Sequence, residues 1–176
     1  AVSAAGSASM SGPSTVRAGD TITVSFSAGG GILGGSGSIS FDSSVLTLQK
    51  YSQKIGGSWV VEFSGNNFVF YDNAMNSPID SKKVIFTATF KVNSNVAEGT
   101  AITVQAKGVT LSDGKQDTGA GSPSYKATIA PPLSGNCNLA FLSVSDVKLS
   151  PAFSAGQTEY TVSVPFSVSS LKVSAK

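Results

Sequence analysis

Few residues in this sequence could carry out acid–base or nucleophilic chemistry. The 176 residues include no histidine and a single cysteine, Cys137. Histidine is the commonest proton carrier near neutral pH. Its absence excludes Ser-His-Asp and Cys-His arrangements and histidine-based metal sites. A cysteine without an activating base is a poor nucleophile, and Cys137 lies in a stretch of Ser, Gly and Asn. We interpret it as a linker thiol without a chemical role.

The ten acidic residues offer no clear catalytic or metal-binding pair. Glycoside cleavage needs two carboxyl groups about 5–10 Å apart, but most acidic residues lie in predicted turns, where Asp accepts backbone hydrogen bonds. Glu62 lies in a predicted strand and has no obvious partner. Asp113 and Asp117 are four residues apart, but a calcium loop needs more oxygen ligands, so we predict a tight turn there. The sequence thus predicts a non-enzyme with no metal and no cofactor.

Composition favours a secreted β-protein. Charged residues make up 12% of the chain, about half of the ~25% typical of soluble domains, and the net charge is +2. No run of Lys and Arg could follow a phosphate backbone, and no stretch of about 18 apolar residues could span a membrane. The small residues at positions 1–8 fit the flank of a removed signal segment and a frayed terminus equally well. We expect an extracellular protein, secreted or at the cell surface, that binds no nucleic acid.

Alternation of apolar and polar residues with a period of two predicts an all-β fold. In residues 21–27 the apolar positions are Ile22, Val24 and Phe26, and in residues 83–92 every second residue from Val84 onward is expected to face the core. The strands predicted for the first 130 residues are 21–27, 36–41, 45–51, 59–63, 68–71, 83–92, 101–109 and 125–129. About nine strands separated by turns indicate a jelly-roll or Greek-key β-sandwich.

A change in composition near residue 130 predicts a domain boundary. Paired prolines at 131 and 132, followed by Ser134 and Gly135, are typical of a linker. We therefore expect a first β-sandwich at 1–130, a linker at 131–138 and a second region at 139–176. The second region contains three predicted strands, at 139–149, 160–164 and 171–173, with a turn at 150–154. About 40 residues are too few for an independent sandwich, so this region is expected to be part of a second one.

Three segments of the first region combine turn-forming residues with strand-forming ones in a distinctive way. Residues 18–24 read Ala-Gly-Asp-Thr-Ile-Thr-Val, and residues 40–46 read Ser-Phe-Asp-Ser-Ser-Val-Leu. The long strand 84–92 is followed by Ala-Glu-Gly-Thr at 97–100. We expect Asp42 to cap a turn and Gly99 to supply a positive φ. In combination, over about residues 5–130, these segments resemble the cohesin family, whose members capture dockerins in cellulosomes and related surface assemblies.

The resemblance implies a protein–protein interaction module that captures a dockerin-type partner. Such a module helps to assemble polysaccharide-degrading or cell-surface complexes and meets polysaccharide through the complex. In cohesins the partner surface is a flat sheet face formed by the third, fifth, sixth and eighth strands. The binding residues implied for this chain are Ser36, Ser38, Ser40, Val60, Glu62, Val69, Tyr71, Asp72, Asn73 and Asn76. Many cohesins carry hydrogen-bonding Asn and Asp anchors where this chain has Gly34 and Ser36, which implies a partner of a divergent type.

Three segments of the second region also form a pattern. They are residues 139–144, residues 149–154, which include Pro151-Ala152-Phe153, and residues 158–162. Together they resemble the opening of a cadherin-like β-sandwich repeat, a spacer of large bacterial surface proteins. The Pro-Ala-Phe turn is the most specific part, and its aromatic ring is expected to dock into the sandwich.

Two other functions fit the same architecture. A carbohydrate-binding module of related fold would need a row of exposed aromatic side chains. The alternation buries most of the aromatic residues between positions 59 and 70 and leaves Tyr51 and Tyr71 as candidates. A structural segment of a surface protein would need no specific partner. Two tyrosines make a weak stacking surface, so the receptor interpretation is favoured.

Overall fold

The computed structural model describes residues 6–133, 135 and 138–176. Cys137 lies outside these residues, so its interpretation as a linker thiol stays a prediction. The chain forms two compact units, Ala1–Pro132 and Leu133–Lys176. The predicted all-β class is confirmed, because the described residues form strands and loops. Within that described part, no helix is long and apolar enough to cross a membrane.

A four-stranded antiparallel sheet forms one layer of the first unit. Its strands, in spatial order, are β1 (Ser7–Ser11), β2 (Thr21–Gly29), β7 (Lys83–Val92) and β4 (Leu46–Gln53). Successive side chains of a strand point to opposite faces of the sheet. The buried face of the two central strands accordingly carries alternate apolar residues: Ile22, Val24, Phe26, Phe86, Ala88 and Phe90.

A six-stranded antiparallel sheet forms the other layer. Its strands, in spatial order, are β10 (Ser124–Thr128), β8 (Ala101–Ser112), β3 (Gly34–Phe41), β6 (Asn67–Asp72) and β5 (Trp59–Ser64), with β9 (Asp117–Gly119) paired to β8. Strand β10 pairs with residues 101–105 of β8, and β9 pairs with residues 110–112. The two sheets enclose one hydrophobic core, which gives the predicted jelly-roll sandwich.

An aromatic cluster joins the two sheets at the centre of the core. Phe26 of β2 stacks on Phe86 of β7 with ring centroids 5.1 Å apart. Phe68 of β6 packs against both rings, at 5.0 Å from Phe26 and 4.9 Å from Phe86. Aromatic pairs in such arrangements add about 0.5–1.5 kcal/mol each beyond the burial of their area. The six-stranded sheet is therefore anchored from behind by large side chains that hold its strands in place.

Glycines allow β3 to lie close to this cluster. A Cβ atom added to Gly35 would lie 2.6 Å from the Phe70 ring, and one added to Gly37 would lie 2.7 Å from the Phe68 ring. Opposite Gly37, β8 contains a bulge in which Gly108 has a φ of 58°, a left-handed value that suits glycine. Because of the bulge, the β8 residues opposite Ser36 and Ser38 both point their side chains to the outer face of the sheet.

The strand bounds, and the direction in which one side chain points, differ from the sequence predictions. Strands β1 and β9 were missed, and the prediction that Val84 faces the core is wrong, since Val84 is 39% exposed. In the pairing of β2 with β7, Phe26 lies opposite Phe86 but Ser27 lies opposite Val84, so the register shifts by one residue. Ile85 lies at this irregularity and is buried in place of Val84. Two local predictions are confirmed: the Asp42 carboxylate accepts the N–H of Ser44 at 2.8 Å, and Gly99 has a φ of 80°.

The second unit contains less regular structure than its sequence pattern predicted. Two short strands, β11 (Leu142–Val144) and β12 (Val173–Ala175), pair antiparallel. The predicted strand at 160–164 contributes one isolated bridge, between Thr161 and Ser150. The aromatic residue of the predicted turn, Phe153, stacks on Tyr160 at 6.1 Å. The Tyr160 hydroxyl donates to the Ser154 carbonyl at 2.7 Å, which ties this turn to the following segment.

Candidate functional site

The outer surface of β8, β3, β6 and β5, called the sheet face below, is a grid of side chains in register. Residues directly opposite one another in an antiparallel pair point to the same side of the sheet. Three rows cross the four strands: Ser112, Gly34, Tyr71, Val60; then Thr110, Ser36, Val69, Glu62; then Lys107, Ser38, Asn67, Ser64. The β8 bulge is what places Lys107 and Thr110, three residues apart, on this same side.

Apolar and hydroxyl groups occupy the centre of the sheet face. Val69 is 39% exposed and lies between Ser36 and Glu62 in its row. The Tyr71 hydroxyl donates to Oε1 of Glu62 at 3.3 Å. The negative charge of Glu62, assisted by desolvation and by this hydrogen bond, raises the pKa of Tyr71 above its usual value. Tyr71 therefore keeps its hydroxyl proton to higher pH than an isolated tyrosine would.

A buried carboxylate organises the loop that borders the sheet face. Asp72 is fully buried and accepts hydrogen bonds from the Ser58 hydroxyl and from the N–H of Ala74 at 3.2 Å, of Asn76 at 2.9 Å and of Ser77 at 2.7 Å. The Ser58 hydroxyl, followed by the backbone N–H donors, lowers the pKa of Asp72 against the opposing effect of desolvation. The expectation that Asp72 contacts a partner therefore needs correction, because its carboxylate faces inward and positions the loop.

The other predicted residues lie where a partner could reach them. Asn73 and Asn76 are exposed in the loop that follows β6. Ser40 lies further along β3, opposite Gln105 of β8. The remaining six are in the three rows given above: Ser36, Ser38, Val60, Glu62, Val69 and Tyr71. The structure thus brings nine of the ten predicted residues to the sheet face or its border, while their role in binding stays a prediction.

Several residues beside the sheet face were not found from the sequence. A shallow depression of about 260 Å³ lies over Gly34 and is lined by Leu33, Met75, Ser112 and Asp117 among others. Met75 is 55% exposed and has a φ of 54°, which is uncommon for a residue with a side chain. A methionine among the turn-forming residues of this loop was the available signal in the sequence. The β8 residues were hidden by the bulge, which breaks the period-two pattern.

The two tyrosines that could form a glycan-stacking strip lie on different sheets. Tyr51 belongs to β4, and its ring stacks on Phe63 at 4.2 Å. Its hydroxyl donates to Asn66 at 3.1 Å, and burial raises the pKa of Tyr51 to about 12. Tyr71 lies on the sheet face of the other layer. The pair therefore does not form one flat aromatic surface.

Acidic residues of the described part form no cluster suited to a metal ion. Among these residues, no group of three or more Cys, Asp or Glu side chains is placed to hold one. The predicted turn after β8 is present, since the Asp113 carboxylate accepts the N–H of Lys115 at 2.8 Å and of Gln116 at 2.9 Å. Asp113 thus shapes the β8–β9 turn.

Fold and site together define a β-sandwich module with an ordered outer sheet face. The family model described as Cohesin domain matches residues 7–127, more than half of the chain. The chain therefore belongs to the cohesin family, whose domains are non-catalytic protein-interaction modules. Among curated protein sequences, none matches the chain.

Solved structures of cohesins have the same fold. A cohesin module from a family 33 glycoside hydrolase of Clostridium perfringens aligns with a TM-score of 0.61 and 8% identity, covering 72% of this chain and 98% of that one. The sixth cohesin of Acetivibrio cellulolyticus scaffoldin B, solved with a dockerin, gives 0.55 and 17%, covering 73% and 99%. A non-cellulosomal cohesin from the archaeon Archaeoglobus fulgidus gives 0.52 and 13%, covering 71% and 92%. At these identities the likeness shows the fold.

Proposed function

We propose that the first unit captures a dockerin-type protein partner on the sheet face. The observation that carries this proposal is the distribution of exposed apolar side chains. Among the described residues of the first unit, the large apolar residues that are exposed are Val69, Met75 and Val84. Val69 lies in the sheet face, and Met75 lines the depression there. Apolar and aromatic groups surrounded by polar ones are typical of protein interfaces.

The size and rigidity of the sheet face support a preformed interface. Strands lie about 4.8 Å apart and rise about 3.4 Å per residue, so the four strands and the eight residues of β3 cover roughly 19 by 27 Å. With the loop that borders it, this area is on the order of the ~800 Å² that each partner buries in a standard interface. The aromatic core behind β6 and β3 holds the strands, so binding would order few groups and lose little entropy.

The relatives support both the partner class and a biological setting. The structure from Acetivibrio cellulolyticus contains a dockerin bound to its cohesin, and so does a complex from Clostridium thermocellum. The module from Clostridium perfringens belongs to a glycoside hydrolase. We infer that this chain acts outside the cell, in the assembly of polysaccharide-degrading or cell-surface complexes. Its low fraction of charged residues, 12%, agrees with that setting.

Capture from a secretome tests this function. The immobilised full chain is expected to retain dockerin-bearing proteins, identified by mass spectrometry, and a glycan array should show no binding. A double variant, Ser38→Arg with Tyr71→Arg, places two bulky cations in the sheet face and should abolish capture. Circular dichroism checks that it folds. Glycan binding without recovery of any dockerin-bearing protein, or undiminished capture by the double variant, would contradict the proposal.

We also propose that residues 139–176 are part of a cadherin-like spacer, joined to the first unit by a linker at 131–138. The pairing of β11 with β12 and the contact of Phe153 with Tyr160 support a nascent β-sandwich. Replacing Tyr160 with Phe removes the hydroxyl that bonds to Ser154. Hydrogen exchange should then quicken around residues 150–161 and stay unchanged in the first unit. Equal exchange in both proteins would contradict an ordered second unit.

A further inference from the structure

We propose that a cleft beside the turn between β4 and β5 binds the phosphate group of a small phosphate monoester, held by Lys54, Lys83 and the backbone N–H groups of residues 56–58. This lysine cleft has a volume of about 560 Å³, within the ~300–1,000 Å³ of small-molecule sites. None of the residues that line it lies in the three rows of the sheet face. The site is therefore separate from the surface proposed to capture a protein partner.

Three successive backbone N–H groups of this turn are available to a ligand. Gly56, Gly57 and Ser58 line the cleft, and within the described part of the chain their N–H groups donate to no acceptor. Gly57 has a φ of 72°, a value that favours glycine and allows the chain to reverse sharply. Successive N–H groups in a turn form concave anion sites, because each carries a partial positive charge. The turn thus supplies donors that suit an oxyanion.

Hydrogen bonds hold the turn in place before any ligand binds. The Gln53 side-chain amide donates to the carbonyls of Ile55 at 2.8 Å and Trp59 at 2.9 Å, one on each side of the three N–H groups. The Ser58 carbonyl accepts the N–H of Asn73 at 2.9 Å. Binding would therefore order few groups, which limits its cost in entropy.

Two lysines supply positive charge to the cleft from different strands. Lys54 follows β4 and Lys83 begins β7, and both line the cleft. The backbone is fixed at the first of them, because the N–H of Lys54 donates to the Ile85 carbonyl at 2.9 Å. Lysine binds phosphate as a point charge, and a phosphate monoester carries a charge of about −1.5 to −2 at pH 7. The two ammonium groups therefore match the charge of one such phosphate.

Carboxylates do not compete for this charge inside the cleft. Among the described residues, no Asp or Glu lines it. Asp72 lies behind Ser58, and its carboxylate already accepts four hydrogen bonds, one of them from the Ser58 hydroxyl. Asp80, in the loop before β7, is exposed and outside the lining. An anion in the cleft thus meets cations and N–H donors.

The rest of the lining indicates that the phosphate carries an organic group. A phosphate ion alone would fill a small part of the cleft. Pro78 and Val84 line it and are exposed, and the Trp59 indole N–H donates to the Ser77 carbonyl at 3.2 Å, which joins the inner wall to the loop. Apolar groups around a few polar anchors are typical of small-molecule sites. We therefore expect an ester with a compact aliphatic part.

Nuclear magnetic resonance of the isotope-labelled full chain tests the inference. Glycerol 1-phosphate, titrated at constant ionic strength, should shift the amide resonances of residues 56–58 until they saturate, and glycerol alone should not shift them. Lys54→Gln combined with Lys83→Gln should weaken binding about tenfold or more, because hydrogen bonds to charged groups are lost. Lys50→Gln removes an exposed lysine of β4 outside the cleft and should leave the affinity unchanged. Circular dichroism checks that the variants fold.

Four results would overturn the inference: shifts that rise without saturating, undiminished affinity in the double lysine variant, an equal loss in the Lys50→Gln protein, or equal affinity for acetate. The Ser38→Arg, Tyr71→Arg protein should bind the ester as the unaltered chain does, so a failure of capture on the sheet face leaves this site standing. Vesicles distinguish the source of the phosphate. Cosedimentation with phosphatidylcholine that contains phosphatidic acid, and not with phosphatidylcholine alone, indicates a lipid headgroup, whereas binding of the soluble ester alone indicates a free ligand.

Discussion

The two sheets of the first unit share one core but present different outer faces. On the four-stranded sheet, the exposed side chains of β2 and β7 include the apolar Val84, but most are hydroxyl groups and lysine: Thr21, Thr23, Ser25, Ser27, Thr89 and Lys91. On the six-stranded sheet the equivalent outward positions include Val60, Val69 and Tyr71. Both faces obey the same period-two rule. Burial thus specifies the inner residues of both sheets, and the proposed binding on the sheet face would account for the apolar outer residues there.

Loops reinforce this difference. The sheet face is bordered by a loop in which a buried carboxylate binds three backbone N–H groups and the strained Met75 is exposed. The four-stranded sheet ends near Gly19, where the Asp20 carboxylate accepts the N–H of Arg17 at 2.8 Å in an ordinary turn. An elaborate loop beside one face and a simple turn beside the other are consistent with binding on the sheet face.

The largest expected loss in the free energy of unfolding affects both sheets together. Phe86→Ala removes a ring that contacts Phe26 and Phe68 across the core, and such truncations cost about 3–5 kcal/mol. Denaturant unfolding should show this loss in a single transition. Val84→Ala, two residues away and partly exposed, should cost less than about 1 kcal/mol. Equal costs for the two variants would contradict the assigned register.

A smaller loss of stability should be confined to the strands that form the sheet face. Gly37→Ala would place a methyl group 2.7 Å from the Phe68 ring, and overpacking of this kind costs about 1–3 kcal/mol. Gly56→Ala meets no atom within 4 Å and should stay within about 0.5 kcal/mol. Hydrogen exchange of the Gly37→Ala protein should quicken in β3 and β6 more than in β2. Uniform quickening across both sheets would show that β3 is not the point of contact.

Acid should loosen the loop of the sheet face through Asp72. The folded state lowers the pKa of this carboxyl below its usual value of 3.8. Its stabilising contribution is therefore complete above that value and is lost as the pH falls through the lower folded-state pKa. Asp72→Asn should be less stable than the unaltered chain at neutral pH and should lose less stability on acidification. Ser58→Ala, which removes the leading cause of the shift, should fall between them. Parallel acid profiles for all three proteins would contradict this role.

The smallest expected effect concerns Tyr71. Because the charge of Glu62 is the first cause of its raised pKa, Glu62→Gln should lower that pKa towards the usual value of 10.0. Ultraviolet titration, with Tyr71→Phe to assign the transition, measures the change. A transition that does not move would show that the two side chains are not in contact on the sheet face.

Period-two alternation predicted most strands because it depends on burial, which is a local and repeated property. It missed β1, whose small residues Ser7–Ser11 alternate weakly, and it misassigned Val84, because Val, Ile and Phe follow one another there and nothing in the sequence shows the bulge. The inward turn of Asp72 was hidden for a similar reason, since a turn-forming segment does not reveal which way its carboxylate points. The choice of face came from the family resemblance, because the alternation marks outward residues on both sheets alike.

One binding measurement tests the central claim most directly. Calorimetric titration of a captured dockerin module would compare the full chain with two variants of equal added charge. One carries Ser38→Arg and Tyr71→Arg on the sheet face, and the other carries Thr21→Arg and Thr23→Arg on the four-stranded sheet. We predict that the first loses at least about a hundredfold in affinity, about 2.7 kcal/mol, and that the second binds as the unaltered chain does. Loss of binding in the second variant with retention in the first would contradict the account.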